Sequence, residues 1–284
     1  MNREGTLVTI DGRPALRFER RYRQPVERVW RAITDPAEMA AWFPSNVEGE
    51  RAPGAELVFV DDDQRNAALE AGEPTRAEGP YFTGRVVAYD PPQVFAFTWG
   101  GELLRFELLA DGDGTRLVFT HLLSHPSVAA RNGAGWHMCL LELDRLLGLP
   151  VEGGDDDGME AYVDYVRRVG PALGAPGPDG SMTWERGTHV APDEVRAATS
   201  QPDQLAAWGA GERGREPLRW EITAAPYGTL YRLVHDGVGR DAELAATWHA
   251  LLLQLDMYLA AGVLVPVAPD EWVAPYAEAL NGSS

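Results

Sequence analysis

The sequence predicts a mixed α+β fold in which a curved antiparallel sheet wraps a long C-terminal helix, followed by a truncated second copy of this domain. Three observations lead to this prediction. Short segments of alternating apolar and polar residues indicate strands, residues 128–147 have the apolar spacing of a helix, and parts of the chain repeat one another in order.

The first copy is predicted to run strand, two helices, several strands, helix. Residues 16–23 form the first predicted strand, Pro25 suits the first turn of a helix over about 25–33, and Asp35-Pro36 begins a short helix that ends near Trp42. The other predicted strands are 55–60, 81–89, 93–99, 102–109 and 115–123. Asp111-Gly112-Asp113-Gly114 is typical of a hairpin turn between the last two.

An internal repeat relates the two halves of the chain. Residues 16–43 align without a gap to 182–209, residues 104–121 to 218–235, and residues 136–148 to 248–260, and the Trp-His pair at the start of the last segment recurs. The stretch that carries several strands in the first copy is missing from the second, which is therefore predicted to keep two or three strands.

The repeat suggests three segments. We expect a complete domain over 1–150, a helix and Gly/Pro-rich linker over 151–180, and a truncated domain over 181–284 that ends in a short helix at 269–280. The truncated copy is expected to dock its apolar face onto the first copy or onto another chain, which leaves a homodimer open.

Composition limits the classes of partner. The 284 residues carry a formal net charge of −18, which disfavours nucleic acid and anionic membranes as partners. The chain shows neither a signal-peptide pattern nor an apolar run long enough to span a bilayer, so a cytoplasmic location is expected. Every one of the 25 basic residues is Arg, and the abundance of residues with GC-rich codons predicts an actinobacterial source.

Four segments resemble a known superfamily in order and spacing: PVERVWRAITDPAEMAAWF (25–43), GRVVAYDPPQVFAFTW (84–99), DGDGTRLVFTH (111–121) and GWHMCLLELDRLL (135–147). They resemble the START-like, Bet v 1-like helix-grip (SRPBCC) proteins, and within them the branch named after the activator of Hsp90 ATPase. The resemblance covers about 14–148, with a partial match over 182–262. It implies an apolar cavity between sheet and helix for lipids, polyketides or aromatic molecules, and a subgroup found with enediyne antibiotic biosynthesis and self-resistance.

Aromatic and apolar side chains fall on the inward faces of the predicted elements and are expected to line this cavity. The predicted lining residues are Trp42, Phe43, Phe59, Phe95, Phe97, Trp99, Phe106, Phe119, His121, Trp136, Cys139, Leu140 and Leu143. For any one of these residues taken alone, a plain hydrophobic core is the better explanation. The resemblance favours a cavity for the set as a whole.

Few polar residues are candidates for chemistry. His121, His125 and His137 lie close together in the sequence, and His121 faces inward by strand alternation, where it could hydrogen-bond a ligand or transfer a proton. Arg20 and Tyr22 are weaker candidates. A cap or core hydrogen bond is the favoured explanation for His121, and a packing role is the favoured explanation for His137, which recurs as His249 in the second copy.

Metal, cofactor and nucleophile patterns are not found. Asp61-Asp62-Asp63 and Asp155-Asp156-Asp157 lack calcium-loop spacing, no zinc-type ligand spacing occurs, and no cofactor is expected. Cys139 lies on an apolar helix face, where a thiol behaves as a small hydrophobe. Gly100 and Gly101 read as a hairpin turn, but the resemblance to enediyne self-resistance proteins also marks them as a place for backbone scission.

The sequence therefore favours a non-enzymatic binder of a hydrophobic or aromatic natural product. Two alternatives remain open. One is a polyketide cyclase or aromatase-like enzyme that uses His121, and the other is a protein-interaction module similar to a chaperone partner.

Overall fold

The computed structural model describes residues 4–60, 82–151, 165, 168–169, 173–188, 190–211, 218–225, 228–261 and 266–282. The chain divides into two compact units. Unit 1 comprises residues 1–123 and 129–169, and unit 2 comprises residues 124–128 and 170–284. The acidic runs at 61–63 and 155–157 lie outside the described residues, as does most of the helix predicted over 158–169.

The described part of unit 1 contains an eight-stranded antiparallel sheet. Its strands lie in the order β1-β2-β8-β7-β6-β5-β4-β3, so the strands of each hairpin are neighbours. The strands are β1 (Thr6–Ile10), β2 (Arg13–Tyr22), β3 (Asn46–Glu48), β4 (Glu56–Val60), β5 (Phe82–Asp90), β6 (Val94–Trp99), β7 (Glu102–Asp111) and β8 (Gly114–Leu122). Of these, β1 and the three-residue β3 were not predicted from the sequence.

In the described part of unit 1, this sheet is accompanied by the α-helices α1 (Val26–Thr34), α2 (Pro36–Met39) and α3 (Ala129–Leu146). Asp35 ends α1 and caps α2, because its side chain accepts hydrogen bonds from the backbone N–H groups of Ala37 and Glu38. The apolar face of α3 includes Trp136, Leu140 and Leu143, which are buried. The predicted α+β architecture, a curved antiparallel sheet with a long helix, is confirmed.

Unit 2 repeats part of this layout. Its described elements are β9 (Ala175–Pro176), β10 (Met182–Thr188), α4 (Pro192–Ser200), α5 (Pro202–Ala207), β11 (Leu218–Ala225), β12 (Gly228–His235), α6 (Ala242–Ala261) and α7 (Asp270–Gly282). The strands form one antiparallel sheet in the order β11-β12-β10-β9. The expectation of two or three strands is thus too low by one, because the two-residue β9 pairs with β10.

Candidate ligand site in unit 1

The interior of unit 1 is built from strands whose alternate side chains point inward. Along β6 and β7 the inward positions include Phe95, Phe97, Leu104 and Phe106, all with no more than 1% of their surface exposed. Antiparallel pairing places Phe97 opposite Leu104, and Phe95 opposite Phe106, so the aromatic side chains gather on one face. Trp99 continues this face at the end of β6 and is half-buried.

The aromatic rings contact one another directly. Phe43, which follows α2, lies at the centre of the group, and its ring is within contact distance of five other rings. The centroid separations from Phe43 are 5.6 Å to Trp42, 6.2 Å to Phe59, 5.9 Å to Phe97, 6.1 Å to Trp99 and 5.6 Å to Trp136. Phe119 joins the group through Phe106 at 4.5 Å and Trp136 at 4.8 Å. The predicted aromatic residues are therefore neighbours in space, and their role as ligand contacts stays a prediction.

A buried polar chain runs into this aromatic group. The indole Nε1–H of Trp136 donates to Nδ1 of His121 over 2.9 Å, and Nε2 of His121 lies 2.7 Å from a carboxylate oxygen of Glu102. An indole N–H is only a donor, so Nδ1 of His121 must be the acceptor, and Nε2 then carries the proton that faces Glu102. Both ring nitrogens of His121, which is fully buried, are thus engaged within the protein.

Glu102 was not predicted as a site residue, although its alternation with Leu104 and Phe106 along β7 places it on the inward face. It lies directly opposite Trp99 in the β6–β7 hairpin. Its carboxylate also receives a long hydrogen bond of 3.5 Å from the side-chain amide of Asn132 in α3. Glu102 is only 8% exposed, so the carboxylate lies at the edge of the aromatic interior rather than in open solvent.

The turn beside this carboxylate is formed by Gly100 and Gly101. Their φ angles are +57° and +82°, a region in which residues with a side chain are strained, so glycine suits both positions. Both residues are exposed, and no other group lies within 4 Å of the place where a Cβ on Gly100 would stand. The hairpin-turn interpretation therefore describes their geometry, and backbone scission there stays a prediction.

The other predicted lining residues on α3 differ from one another in burial. Leu140 and Leu143 are fully buried, whereas Cys139 retains partial exposure. Burial of the thiol raises the pKa of Cys139 to about 12. At neutral pH this thiol is protonated and unreactive.

Arg20 and Tyr22, the weaker acid–base candidates, are held in a buried ion pair. Nε of Arg20 lies 3.3 Å from Asp144 on α3, and the hydroxyl of Tyr22 donates to the same carboxylate over 2.9 Å. The side chains of Arg20 and Asp144 are 2% and 0% exposed. Asp144 was missed in the sequence, although it recurs as Asp256 in the second copy. This arrangement anchors β2 to α3 and occupies the groups that acid–base chemistry would need.

His125 and His137 do not join His121. His125 belongs to the short segment of unit 2 at 124–128, where Nδ1 contacts Ser127 and Nε2 lies 3.5 Å from Glu185. Burial lowers the pKa of His125, and the carboxylate of Glu185 partly opposes that effect. His137 is half-buried with its ring 5.9 Å from that of Tyr165. The three histidines therefore lie in three different environments.

In the part of the chain that the structure describes, no group of three or more His, Cys, Asp or Glu side chains is arranged to hold a metal ion. No described helix combines the length and the apolar character needed to cross a membrane.

Comparison with known proteins identifies the first domain. Residues 23–148, which contain α1 to α3 and β3 to β8, match the family described as Activator of Hsp90 ATPase homolog 1-like protein. This part of unit 1 is similar to activator-of-Hsp90-ATPase-like domains. The predicted branch of the helix-grip superfamily is thereby confirmed for this domain, while the enediyne-associated subgroup stays a prediction. No curated protein matches the chain.

Several solved structures are similar to part of the chain. CalU16 from Micromonospora echinospora is 20% identical, with a TM-score of 0.43, over 59% of this chain and 94% of CalU16. The protein encoded by BPP1335 from Bordetella parapertussis is 28% identical, with a TM-score of 0.43, over 59% of this chain and 92% of that one. EF2215 from Enterococcus faecalis, a conserved protein of unknown function, is 19% identical, with a TM-score of 0.44, over 57% and 88% of the two chains.

Proposed function

We propose that unit 1 binds a hydrophobic, aromatic natural product, polyketide-like or enediyne-like, between its sheet and α3. The observation that carries the proposal is the group of mutually contacting rings around Phe43, with the polar chain of Glu102, His121 and Trp136 at one edge. Ligand sites are mostly apolar and aromatic with a few placed polar groups, which is the composition found here.

Ring geometry supports a flat ligand. The ring pairs around Phe43 include tilted, stacked and edge-to-face arrangements, so both ring faces and ring edges are offered within a small volume. A flat polycycle can replace ring–ring contacts with ring–ligand contacts of the same kind, at little cost in contact energy. An aliphatic chain offers no such exchange, so we expect aromatic ligands to bind more tightly than fatty acids.

The polar groups support binding rather than acid–base catalysis. A general acid or base must be within hydrogen-bond reach of the proton that it moves. Nδ1 of His121 accepts the indole N–H of Trp136 and Nε2 lies 2.7 Å from a carboxylate oxygen of Glu102, while Arg20 and Tyr22 share the buried carboxylate of Asp144. A catalytic role would require these buried contacts to break during each turnover.

The experiment is a tryptophan-fluorescence titration of the full chain with an aromatic polyketide, an enediyne and a fatty acid. We expect saturable quenching by an aromatic ligand, smaller in Trp99→Phe and Trp136→Phe and unchanged in Trp208→Phe, whose indole is buried in unit 2. Absence of saturable quenching by every ligand would overturn the proposal. Equal loss of quenching in Trp208→Phe would place the ligand outside the proposed site.

Within this function we further propose antibiotic self-resistance, with Gly100 or Gly101 as the point of backbone scission by a bound enediyne. The exposure of the turn and its position next to Trp99 support this role. Intact mass after incubation with the enediyne should then show two fragments that meet at this turn. Gly112 is a matched control, because it has a φ of +62° and open space around it but lies at the far end of β7. Cleavage at Gly112, or an intact chain, would contradict self-sacrifice and leave simple binding in place.

A further inference from the structure

We propose that strand β11 of unit 2 pairs with the β11 strand of a second copy of this chain, which joins two chains into a twofold-symmetric dimer. This inference goes beyond the proposed function, because it concerns unit 2 rather than the ligand site of unit 1. It is carried by the position of β11 at an edge of its sheet and by the charges along that strand.

The first step compares β11 with its equivalent in unit 1. The internal repeat aligns β11 with β7, which lies between β8 and β6, so both edges of β7 are paired. Strand β11 pairs with β12 on one side, and among the described residues no strand pairs with its other side. An edge strand presents a row of N–H and C=O groups that can pair with another chain.

The second step is the apolar face of this edge. Phe106 on β7 is 0% exposed and lies opposite Phe95 of β6. Its equivalent on β11, Trp220, is only half-buried, and every residue of β11 keeps partial or full exposure. A further strand with an aromatic side chain would therefore cover Trp220 as β6 covers Phe106.

The third step is the regularity of the strand. The pairing of β11 with β12 runs from Leu218 to Ala225 without a bulge, and β11 contains no proline. Bulges and prolines are among the features that keep edge strands from pairing with other chains. The opposite edge of the same sheet, β9, has two residues and includes Pro176. The long and regular edge of this sheet is thus the one suited to pairing.

The fourth step is the register, which the charges select. Directly opposite residues of an antiparallel pair point to the same face, so two copies of β11 must pair symmetrically about one residue. A pairing centred on Arg219 or on Glu221 sets that charge opposite its own copy, and one centred on Ile222 gives neither charge an opposite partner. A pairing centred on Trp220 sets Arg219 of each chain opposite Glu221 of the other.

The same register suits both faces of the strand. On the inner face it sets the two copies of Trp220 opposite each other and Leu218 opposite Ile222 of the partner subunit, and such aromatic and aliphatic pairs stabilise adjacent strands. On the outer face Arg219 and Glu221 are 63% and 45% exposed, and their side chains lie 3.6 Å apart within one chain. The second chain would bring the same two charges in the opposite order, so that positive and negative groups alternate.

The test measures the oligomeric state of the full chain by sedimentation equilibrium over a range of concentrations, in about 0.15 M salt. The Debye length is then about 8 Å, so the net charge of −18 on each chain is screened more than charges in direct contact. We expect an equilibrium between monomer and dimer. Arg219→Glu and Glu221→Arg each set like charges opposite one another twice, so each should weaken the dimer at least about tenfold.

Mixing the two variants separates loss of pairing from loss of folding. In a mixed dimer every introduced charge again lies opposite a charge of the other sign, so equal amounts of Arg219→Glu and Glu221→Arg should form a heterodimer with about the original affinity. The double substitution in one chain should restore the homodimer for the same reason. Arg105→Glu and Glu107→Arg are matched controls, because they make the same changes on β7, whose two edges are paired, and should leave the dimer unchanged.

Hydrogen exchange provides a measurement without any substitution. Amide exchange in 218–225 should slow as the concentration of the full chain rises, because pairing protects the N–H groups at this edge. A chain that stays monomeric at its highest soluble concentration, a dimer of full strength in either single variant, or folded variants that do not associate when mixed would each overturn the proposal. The ligand titration of unit 1 is a separate measurement, so none of these results changes the proposed binding function.

Discussion

Units 1 and 2 share the contacts that hold their helices to their strands. In both units, the indole N–H of a tryptophan that follows the second short helix donates to a backbone carbonyl in the helix before it. A threonine hydroxyl in each unit donates to the backbone carbonyl that lies just before the first of these two helices. The equivalent bonds are Trp42 to Ala32 (2.9 Å) and Trp208 to Ala198 (2.8 Å), and Thr115 to Gln24 (2.8 Å) and Thr229 to Val190 (2.7 Å).

A second shared feature joins the residue just before the first strand of each unit to a tyrosine near the C-terminal end of that unit. The backbone N–H of Gly5 bonds the hydroxyl of Tyr165 over 2.7 Å, and that of Gly174 bonds the hydroxyl of Tyr276 over 2.7 Å. Each glycine lies so close to an aromatic ring that a Cβ could not fit: 2.4 Å from Phe18 for Gly5 and 2.7 Å from Trp184 for Gly174. The repeated fold is therefore larger than the aligned segments.

The units differ where unit 1 has its candidate site. In unit 1 the indole of Trp136 bonds Nδ1 of His121. In unit 2 the equivalent nitrogen of His235 instead accepts the backbone N–H of Gly237, and the buried indole N–H of Trp248 has no bond to any described residue. The contacts that stabilise the fold are thus kept in both units, whereas the polar chain into the interior is found in unit 1.

The largest expected difference between the two units is in the stability that each gains from its buried ion pair. In unit 1 the carboxylate of Asp144 is fully buried against Arg20, whereas in unit 2 Asp256 is 16% exposed against Arg186. Asp144→Asn leaves a buried guanidinium without its counter-charge and should reduce the free energy of unfolding of unit 1 by about 3–5 kcal/mol. Asp256→Asn should reduce that of unit 2 by about half as much, because water reaches the pair.

Peptide-resolved hydrogen exchange measures the two units separately within the full chain. Tyr22→Phe and Tyr231→Phe are the controls, since each removes only the hydroxyl that bonds the same carboxylate. Equal losses of unfolding free energy in Asp144→Asn and Asp256→Asn would show that the solvent exposure of an ion pair does not determine how much it stabilises its unit.

The next largest difference is expected in the stability contributed by the hydroxyl groups of Tyr276 and Tyr165. The hydroxyl of Tyr276 accepts from both Gly174 and the indole of Trp184, each over 2.7 Å, and lies 3.1 Å from Nδ1 of His249. Tyr276→Phe leaves these buried groups unsatisfied and should destabilise unit 2 by about 3 kcal/mol. Tyr165→Phe removes the acceptor of Gly5 and should destabilise unit 1 by about 1 kcal/mol.

Urea unfolding of the two variants, followed by peptide-resolved hydrogen exchange, measures both losses. Leu109→Ala on the exposed face of β7 serves as the control for a substitution outside these contacts. A loss in Tyr165→Phe as large as that in Tyr276→Phe would mean that the additional partners in unit 2 contribute nothing.

The sequence predicted most of the large elements, because their signals are local. Alternation along β6 and β7 and the helical spacing of Trp136, Leu140 and Leu143 depend on neighbouring residues alone. The short β3 and β9 gave no such signal, since two or three residues are too few to show a period.

The polar contacts could be predicted only in part. His121 was placed inward by alternation, but its partner Glu102 lies on another strand, and nothing local to the sequence joins them. Asp144 could have been found, because its recurrence as Asp256 within an apolar helix face indicates a shared buried partner. The link between Gly5 and Tyr165 spans 160 residues and follows only from the tertiary structure.

The smallest expected difference is a pH dependence of unit 2. His249 is 1% exposed, and burial, together with the charge of Arg186, holds the pKa of His249 well below 6.5. In the unfolded chain this histidine binds a proton below about pH 6.5, whereas in the folded unit it stays neutral. The free energy of unfolding of unit 2 should therefore fall by at most about 1.4 kcal/mol per pH unit as the pH drops below 6.5, and this fall ends at the lowered pKa of folded His249.

His249→Asn tests this origin, because the amide oxygen can accept from Tyr276 much as Nδ1 does but does not titrate. The measured quantity is the slope of the free energy of unfolding against pH between pH 6.5 and 5. A loss of packing against Trp272 lowers stability equally at every pH, so it does not change this slope. His125→Asn is the matched control and should flatten the slope less, since Glu185 partly offsets the burial of His125. An unchanged slope in His249→Asn would assign the acid sensitivity of unit 2 to other groups.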